Sequence, residues 1–386
     1  MAEVMTGVNG QMIRWARESY NMSIEETALA LGVDVHRYEM WENGKEFPTY
    51  AKLKKISDVL HKPSAIFFFP EPPHINNIKG NLRTLPCEVS DNFSKQVIQQ
   101  FEKAQVYQMD LHELYGDRIS ILSERNAFPS DQEELCKYFR RLLKFPIEKQ
   151  KTRRSDKTVF EIFRNGLYDL GIYVFKDAFR DNTISGLCLN DQQYPIIIIN
   201  NAMSFARQNF TLFHELFHLI SDTSGAEIIK DDYYSYLNTQ QTAVEKACDS
   251  FANEFLVPMA DFKYELEKKP LNENRIVELS TLYSVSKEAI MYKLYSMGLI
   301  TSEEYVALKE VFYGEAIRNG SHVTKNEKSH GNYYFTKLSY LGSRYTGDVF
   351  RQYFSGHFDG FKASEMLHSK VDNLPKLETA YFRGAK

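Results

Sequence analysis

The sequence predicts an α+β protein that is mostly helical. Its 386 residues are 43% hydrophobic and 14% aromatic, which is enough to build two to four domains with cores. Apolar residues recur at intervals of three and four over much of the chain, as they do on amphipathic helices. The main exception is Pro195–Asn200, whose four consecutive isoleucines indicate a buried strand. We therefore expect one short β-sheet within a helical chain.

The first sixty residues are predicted to form a unit of helices only. Ser23 and Glu26 match a capping box that opens the second helix, and Gly32 ends that helix. A third helix is expected from about Asp34 to Asn43 and a fourth from Tyr50 to Leu60. A helix, a short glycine turn and a second helix form the unit with which many proteins read the DNA major groove.

The charge of this unit argues against strong DNA binding. Residues 1–70 carry eight Lys and Arg against nine Asp and Glu, so the positive excess that phosphate binding uses is missing. The expected recognition helix would expose acidic groups, Glu42 among them. His36, Arg37 and Lys45 are the candidate contacts to DNA or to a protein partner. Two interpretations stay open: weak or partner-dependent DNA binding, and a docking or dimerising module for proteins.

The segment Phe213–Ile220 contains the pattern His-Glu-x-x-His among apolar residues. Positions i and i+4 of a helix lie about 40° apart, so His214 and His218 point two imidazoles at one spot. Glu215 can then reach a metal-bound water without ligating the metal, which indicates a zinc peptidase site with Glu215 as general base. The alternative is an amphipathic core helix with two chance histidines, but such buried polar groups need partners.

A catalytic zinc needs a third protein ligand and one open position. The best candidate is Glu245, on a predicted helix that Pro258 ends. Glu245 and Asp249 share a helix face, so Asp249 can accept the second ring N–H of a ligand histidine. Cys248 and Glu254 are rival ligands, although a cysteine in such a helix is more often a small buried hydrophobic residue.

These segments resemble the ImmA/IrrE family of metallopeptidases over roughly residues 130–300. The resemblance rests on Arg207–His218, on the preceding strand Pro195–Asn200 and on the helix Glu245–Pro258. It implies a small thermolysin-like zincin core of the gluzincin type, with a short sheet and two site helices. It further implies that Zn²⁺ is bound by three residues and that Glu215 is the catalytic base; the three ligands are His214, His218 and Glu245.

Two further features belong to this comparison. Where members of that family usually have Ala-Asn, this chain has Cys248 and Asp249. In the first sixty residues, Leu31-Gly32-Val33 and Tyr38-x-x-Trp41-Glu42-Asn43-Gly44-Lys45 resemble the phage-repressor-like (XRE) helix-turn-helix family. The second resemblance implies an N-terminal domain of the five-helix type.

Together these observations predict a zinc-dependent endopeptidase. The resemblance implies that its substrate is a specific regulatory protein, a repressor or an antitoxin. The alternative is a helix-turn-helix transcriptional regulator or toxin–antitoxin component whose metal site is sensory or inactive. In peptidases of this build an edge strand pairs with the substrate, and Ile184–Leu189 is our candidate for that edge. Tyr233, Tyr234 and Tyr236 are candidate stabilisers of an oxyanion.

The expected location is the cytoplasm. The four cysteines are widely spaced, residues 1–11 lack the basic-then-apolar pattern of a signal peptide, and no apolar run approaches the length of a membrane span. We expect five segments in order. They are a helix-turn-helix domain (1–70), a helical connector (71–157), the peptidase core (158–271), a helical buttress resembling a helix-turn-helix (272–313), and a linker with a small C-terminal helical domain (314–386).

Overall fold

A computed structural model describes residues 4–72, 94–153, 155–222, 225–228, 239–318 and 332–384, with the backbone alone for residues 225–228, 239–241 and 315–318. The described residues divide into two compact units, one that extends to residue 99 and one that begins at residue 100. Within the described part of the chain, no helix is both long enough and apolar enough to cross a membrane.

The first unit consists of helices, as the sequence predicts. The capping box of α2 is formed, because the Ser23 hydroxyl accepts from the amide of Glu26 (3.1 Å) and the Glu26 carboxylate accepts from the amide of Ser23 (3.0 Å). Gly32 ends this helix with a φ of +61°. The elements are α1 (Gly10–Glu18), α2 (Ile24–Leu31), α3 (Val35–Glu42), α4 (Tyr50–Leu60) and a 3-10 turn (Ser64–Phe68).

Helices α1 and α3 of this unit approach each other closely. A Cβ at Gly10 would lie 2.4 Å from the carbonyl oxygen of Trp41, so only glycine fits at this crossing. Arg17 of α1 holds the Glu42 carboxylate with two hydrogen bonds of 2.7 and 3.0 Å. Glu42 is 2% exposed. The expectation that it lies on the outer face of the recognition helix is therefore wrong, because its charge is used to pair α3 with α1.

The second unit contains one sheet and the remaining helices. Residues 95–99, at the start of helix α5, belong to the first unit, and the rest of this helix belongs to the second. The helices are α5 (Lys95–Tyr115), α6 (Gln132–Leu142), α7 (Ile147–Lys151), α8 (Asp156–Asp169), α9 (Phe205–Ile220), α10 (Thr239–Leu256), α11 (Met259–Glu267), α12 (Glu273–Tyr283), α13 (Lys287–Ser296), α14 (Ser302–Arg318), α15 (Tyr333–Leu341), α16 (Ser343–Phe354), α17 (Gly360–Met366) and α18 (Leu374–Gly384), with 3-10 turns at Ile121–Ala127 and Val371–Asn373.

Among the described residues the sheet has four strands, in the order β1-β3-β2-β4. β1 and β3 are parallel, and β2 is antiparallel to both β3 and β4. The strands are β1 (Tyr173–Asp177), β2 (Ile184–Leu189), β3 (Ile196–Asn200) and β4 (Gly225–Ile228). The isoleucine run of β3 is central and fully buried, as its composition predicts.

The prediction that Ile184–Leu189 is the edge strand is wrong. This segment is β2, and it is hydrogen-bonded on one side to β3 and on the other to β4. Its backbone therefore has no free side that could pair with a substrate. The edges of the sheet are β1 and β4. A strand with six buried residues is typical of a sheet interior, and β2 has that pattern.

Helix α9 packs across β2, β3 and β4 and runs beside α8 and α10. Its approach to β2 depends on a missing side chain. A Cβ at Gly186 would lie 2.4 Å from Cγ2 of Thr211, a distance far inside van der Waals contact. Glycine in the middle of a strand weakens it, so its presence marks the place where another element comes close. Here that element is the helix that carries His214 and His218.

Arg164 of α8 joins the C-terminal helices to the sheet. Its guanidinium donates to the carbonyls of Val174 (2.8 Å), Ser339 (2.7 Å) and Tyr340 (2.6 Å). The last two carbonyls belong to the end of α15, where a positive charge is favourable. Gly342 follows with a φ of +87°, and a Cβ there would lie 2.7 Å from the guanidinium carbon. The C-terminal helices are thus packed onto β1 through a buried cation.

We predict that Gly186→Ala destabilises the protein by about 1–3 kcal/mol, because the new Cβ overpacks the contact between β2 and α9. Thermal unfolding of the full chain measures this effect. The double variant Gly186→Ala with Thr211→Ser removes the clashing methyl but keeps the hydroxyl, and we expect it to recover a large part of the loss. Gly360→Ala is the matched control, since its Cβ would meet no atom closer than 3.8 Å. Equal stability of Gly186→Ala and Gly360→Ala would contradict the close packing.

Candidate metal centre

Helix α9 brings together the two histidines of the His-Glu-x-x-His pattern. The helix begins after Ser204, whose hydroxyl accepts from the amide of Arg207 (3.3 Å). One turn separates His214 from His218, and their ring centroids are 5.1 Å apart. Both rings and the Glu215 side chain between them are buried, with exposures of 2%, 0% and 0%. The apolar surroundings remove all three polar groups from bulk water.

Helix α10 places the carboxylate of Glu245 between the two rings. Its Oε2 lies 3.2 Å from Nε2 of His214, and its Oε1 lies 3.5 Å from Nε2 of His218. Ligand atoms that share one tetrahedral Zn²⁺ at bond lengths near 2.0–2.2 Å are roughly 3.3–3.6 Å apart. Each of these two distances therefore has the length expected for a pair of ligands on one small cation.

Asp249 lies one turn after Glu245 and contacts the other side of the first imidazole. Nδ1 of His214 donates to Oδ1 of Asp249 at 2.9 Å. Because Asp249 holds the proton on Nδ1, Nε2 is the ring nitrogen that becomes available to a metal when the metal displaces the proton between Nε2 and Glu245. This hydrogen bond fixes both the tautomer and the ring orientation of His214.

The ionisation of the site follows from burial and from mutual pairing. Burial lowers the pKa of His218, but the neighbouring Cys248 and Glu245 outweigh burial and raise this pKa to about 10. Burial raises the pKa of Glu245, while the hydrogen bonds of the two histidines hold it at about 2. The carboxylate is thus paired with protons on the rings. A divalent cation supplies the same positive charge, and its binding releases such protons.

The two rival ligands have different positions. Oε1 of Glu254 accepts from the amide of Met259 (2.9 Å), and its Oε2 pairs with Lys293 (3.3 Å), so this carboxylate is engaged elsewhere. Cys248 is fully buried, as expected of a small hydrophobic residue. Its Sγ also lies with ring nitrogens of His214 and His218 in one group of donor atoms, all within 4.8 Å of one another. These three buried residues could together hold a metal ion.

The end of α10 is held by polar side chains that the sequence analysis did not single out. Arg140 donates to the carbonyl of Phe255, Gln150 to that of Leu256 (3.1 Å), and Lys293 to that of Val257. Two of the three donors are cations, which the C-terminus of a helix favours. These contacts join residues more than 30 positions apart, so no local pattern indicates them.

The candidate contacts of the helix-turn-helix domain are all on its surface. Nδ1 of His36 lies 3.7 Å from the carboxylate of Glu39, and Nε of Arg37 lies 3.6 Å from that of Glu46. Lys45 is exposed. His36 and Arg37 thus each have a carboxylate beside them, which weakens any attraction for phosphate.

The candidate oxyanion residues Tyr233, Tyr234 and Tyr236 lie outside the described residues. Their role stays a prediction.

Comparison with protein families gives two matches. Residues 168–295 match the IrrE N-terminal-like domain of the M78 peptidases. Residues 10–60 match a helix-turn-helix domain. The first match begins in α8, contains the sheet and both site helices, and ends in α13. No curated protein matches the chain. Both resemblances drawn from the sequence are confirmed: residues 10–60 are similar to a helix-turn-helix domain and residues 168–295 to the IrrE N-terminal-like domain of the M78 peptidases.

Proposed function

We propose that the protein is a zinc-dependent endopeptidase with His214, His218 and Glu245 as metal ligands and Glu215 as general base. The observation that supports it most directly is the position of the Glu245 carboxylate, within 3.5 Å of both imidazoles. Two imidazole nitrogens and a carboxylate oxygen are the donor set of one large class of catalytic zinc sites. The match to a peptidase domain supports the same chemistry.

The mechanism assigns a separate task to each side chain. Bound Zn²⁺ would supply Lewis acidity, which polarises a peptide carbonyl and lowers the pKa of a water toward 7. Glu215 accepts the proton of the attacking water and then delivers it to the leaving amine. Asp249 keeps the His214 ring in the required tautomer through the 2.9 Å hydrogen bond. The apolar packing around α9 excludes bulk water from these proton transfers.

The substrate in this proposal is a regulatory protein, a repressor or an antitoxin, cleaved in an extended segment. In this proposal the helix-turn-helix domain brings the peptidase to the place where its substrate is found. Its surface side chains His36 and Arg37 each lie beside a carboxylate. We therefore propose that its own contact with DNA is weak, and that docking of proteins is its main task.

The ligand assignment predicts that Glu245→Gln lowers the affinity for Zn²⁺ by about 100-fold or more. An amide is a poorer ligand than a carboxylate and leaves the charge of the cation uncompensated. Competition with a chromophoric chelator measures the affinity for Zn²⁺. Glu254→Gln is the matched control, because it removes a carboxylate from the same helix that pairs with Lys293 instead. If both variants bound Zn²⁺ as tightly as the unmodified protein, Glu245 would not be a ligand.

The catalytic assignment predicts that Glu215→Gln keeps the fold and the bound Zn²⁺ but lowers the rate of cleavage by about 10²–10⁴-fold, the range typical of a lost general base. Mass spectrometry compares new protein N-termini in cells that produce either the unmodified chain or this variant, and it detects cleavage of whichever protein is the substrate. The candidate substrate is then purified and incubated with both proteins and Zn²⁺.

The control for this experiment is Glu254→Gln, which is expected to cleave at the rate of the unmodified protein. An equal rate of cleavage by Glu215→Gln would refute the role of Glu215. Sequence-selective DNA binding without any new N-termini would favour the alternative, a regulator with a sensory metal site.

A further inference from the structure

The C-terminal helices α16 and α18 border an open groove of about 440 Å³. Its lining is mostly aromatic, which is typical of surfaces that bind a ligand or a protein partner. Among the described residues, no side chain of the metal site lines it, so its occupancy does not depend on the proposed peptidase activity. The aromatic lining residues are Phe350 and Phe354 of α16 with Tyr381 and Phe382 of α18.

The four rings form one connected row across the two helices. The ring of Phe350 contacts those of Tyr381 and Phe354, with centroids 5.3 and 5.8 Å apart. The ring of Phe354 in turn stacks on that of Phe382 at 6.1 Å. Gly347 lets α18 come close to α16, because a Cβ there would lie 2.6 Å from the hydroxyl oxygen of Tyr381. The groove is therefore built on two helices whose spacing is fixed by side-chain contacts.

The packing of this row leaves two of its rings half in water. Phe350 is 1% exposed and forms the floor of the groove, whereas Phe354 and Phe382 are 52% and 51% exposed. Aromatic side chains and arginine are enriched where proteins contact each other. The two half-exposed rings thus offer apolar area that a partner would bury.

The charge of the groove comes from one arginine. Among the described residues that line it, Arg351 alone carries a charge. Its side chain is 75% exposed and pairs with Asp348 of the same helix (2.7 Å). The Asp348 carboxylate also accepts from the hydroxyl of Tyr168 (3.0 Å), so its charge is shared between two partners. A guanidinium has five N–H donors and can bind a further carboxylate. The groove thus fits an apolar partner that carries negative charge.

A second copy of the chain fits this groove less well. In a symmetric pair of subunits the same surface patch meets itself. Arg351 of both copies would then enter one apolar interface, where like charges repel each other. The charge of the groove therefore favours a different protein with acidic side chains.

We propose that the groove between α16 and α18 binds an acidic amphipathic helix of a partner protein. Helix α16 has 12 residues and is about 18 Å long, so a partner helix of about three turns fits along it. The apolar residues of that helix, three and four positions apart, pack on the rings of Phe354 and Phe382. One of its carboxylates pairs with the guanidinium of Arg351.

Selection from a phage-displayed library of random peptides tests this proposal. The peptides have about 16 residues, enough for about four helical turns. The full chain is immobilised, and an excess of the Arg351→Glu variant in solution removes peptides that bind elsewhere. We expect the surviving peptides to share large apolar residues at intervals of three and four, with Asp or Glu between them. A selection without survivors, or survivors rich in Lys and Arg, would overturn the proposal.

Fluorescence polarisation then measures the affinity of a labelled surviving peptide for further variants. Phe354→Ser and Phe382→Ser should each weaken binding about tenfold or more, because each removes a ring from the groove. Phe361→Ser and Arg344→Glu are the matched controls and should bind as the unmodified protein does. Phe361 is 70% exposed, Arg344 pairs with Asp169 (2.9 Å), and neither lines the groove in the part of the chain that the structure describes. Unchanged binding in both groove variants would reject this surface as the site.

A charge exchange completes the test. A peptide whose Asp and Glu are replaced by Lys should lose binding to the unmodified chain and gain binding to Arg351→Glu; without this gain, the pairing with Arg351 is wrong. Thermal unfolding checks that each variant is folded. Sedimentation velocity covers the other occupant: a dimer of the unmodified chain that is absent from Phe354→Ser would identify a second copy in the groove and overturn the proposal.

Discussion

The packing of α9 against α10 is the interaction on which the rest of the site depends. The rings of Phe213 and Phe255 are stacked with centroids 3.8 Å apart, and those of Phe217 and Phe251 are 5.1 Å apart. Aromatic pairs of this kind contribute about 0.5–1.5 kcal/mol each beyond their buried area. Their main effect here is geometric. They fix the register of the two helices, and this register brings the carboxylate of Glu245 to both imidazoles.

Neighbouring elements of the fold also contact these two helices and restrict their movement. On one side, Gly186 allows β2 to approach α9 at the level of Thr211. On the other, the last carbonyls of α10 accept hydrogen bonds from Arg140, Gln150 and Lys293, all of them buried. Burying two cations is costly unless their hydrogen bonds are satisfied, and the carbonyls at a helix C-terminus satisfy them. The donor atoms are thus pre-organised, which a catalytic metal site requires.

The parts of this arrangement that depend on local sequence could be predicted from it. The spacing of His214 and His218, the capping box of α2 and the isoleucine run of β3 each follow from the geometry of one element. The order of the strands could not be predicted. β2 pairs with β4, and β4 follows in the chain only after helix α9, so no local pattern indicates this pairing.

The burial of polar groups could not be predicted either, because it depends on contacts between distant elements. The sequence predicts Glu42 on an outer face, yet this residue pairs with Arg17 of another helix. The sequence leaves Glu254 as a rival ligand, whereas its carboxylate contacts Lys293 and the amide of Met259. Cys248 shows the opposite. Most buried cysteines only pack against apolar side chains, and the sequence predicts the same here. The structure instead places ring nitrogens of two histidines near its Sγ.

The proposed function requires that His214, His218 and Glu245 bind a single cation. The decisive experiment is anomalous diffraction from crystals of the full chain grown with Zn²⁺, recorded above and below the zinc absorption edge. We predict one peak among the two Nε2 atoms and the Glu245 carboxylate, at about 2.0–2.2 Å from each ligand atom. Zinc density at another place, with the Glu245 carboxylate turned away from both imidazoles, would rule out this set of ligands.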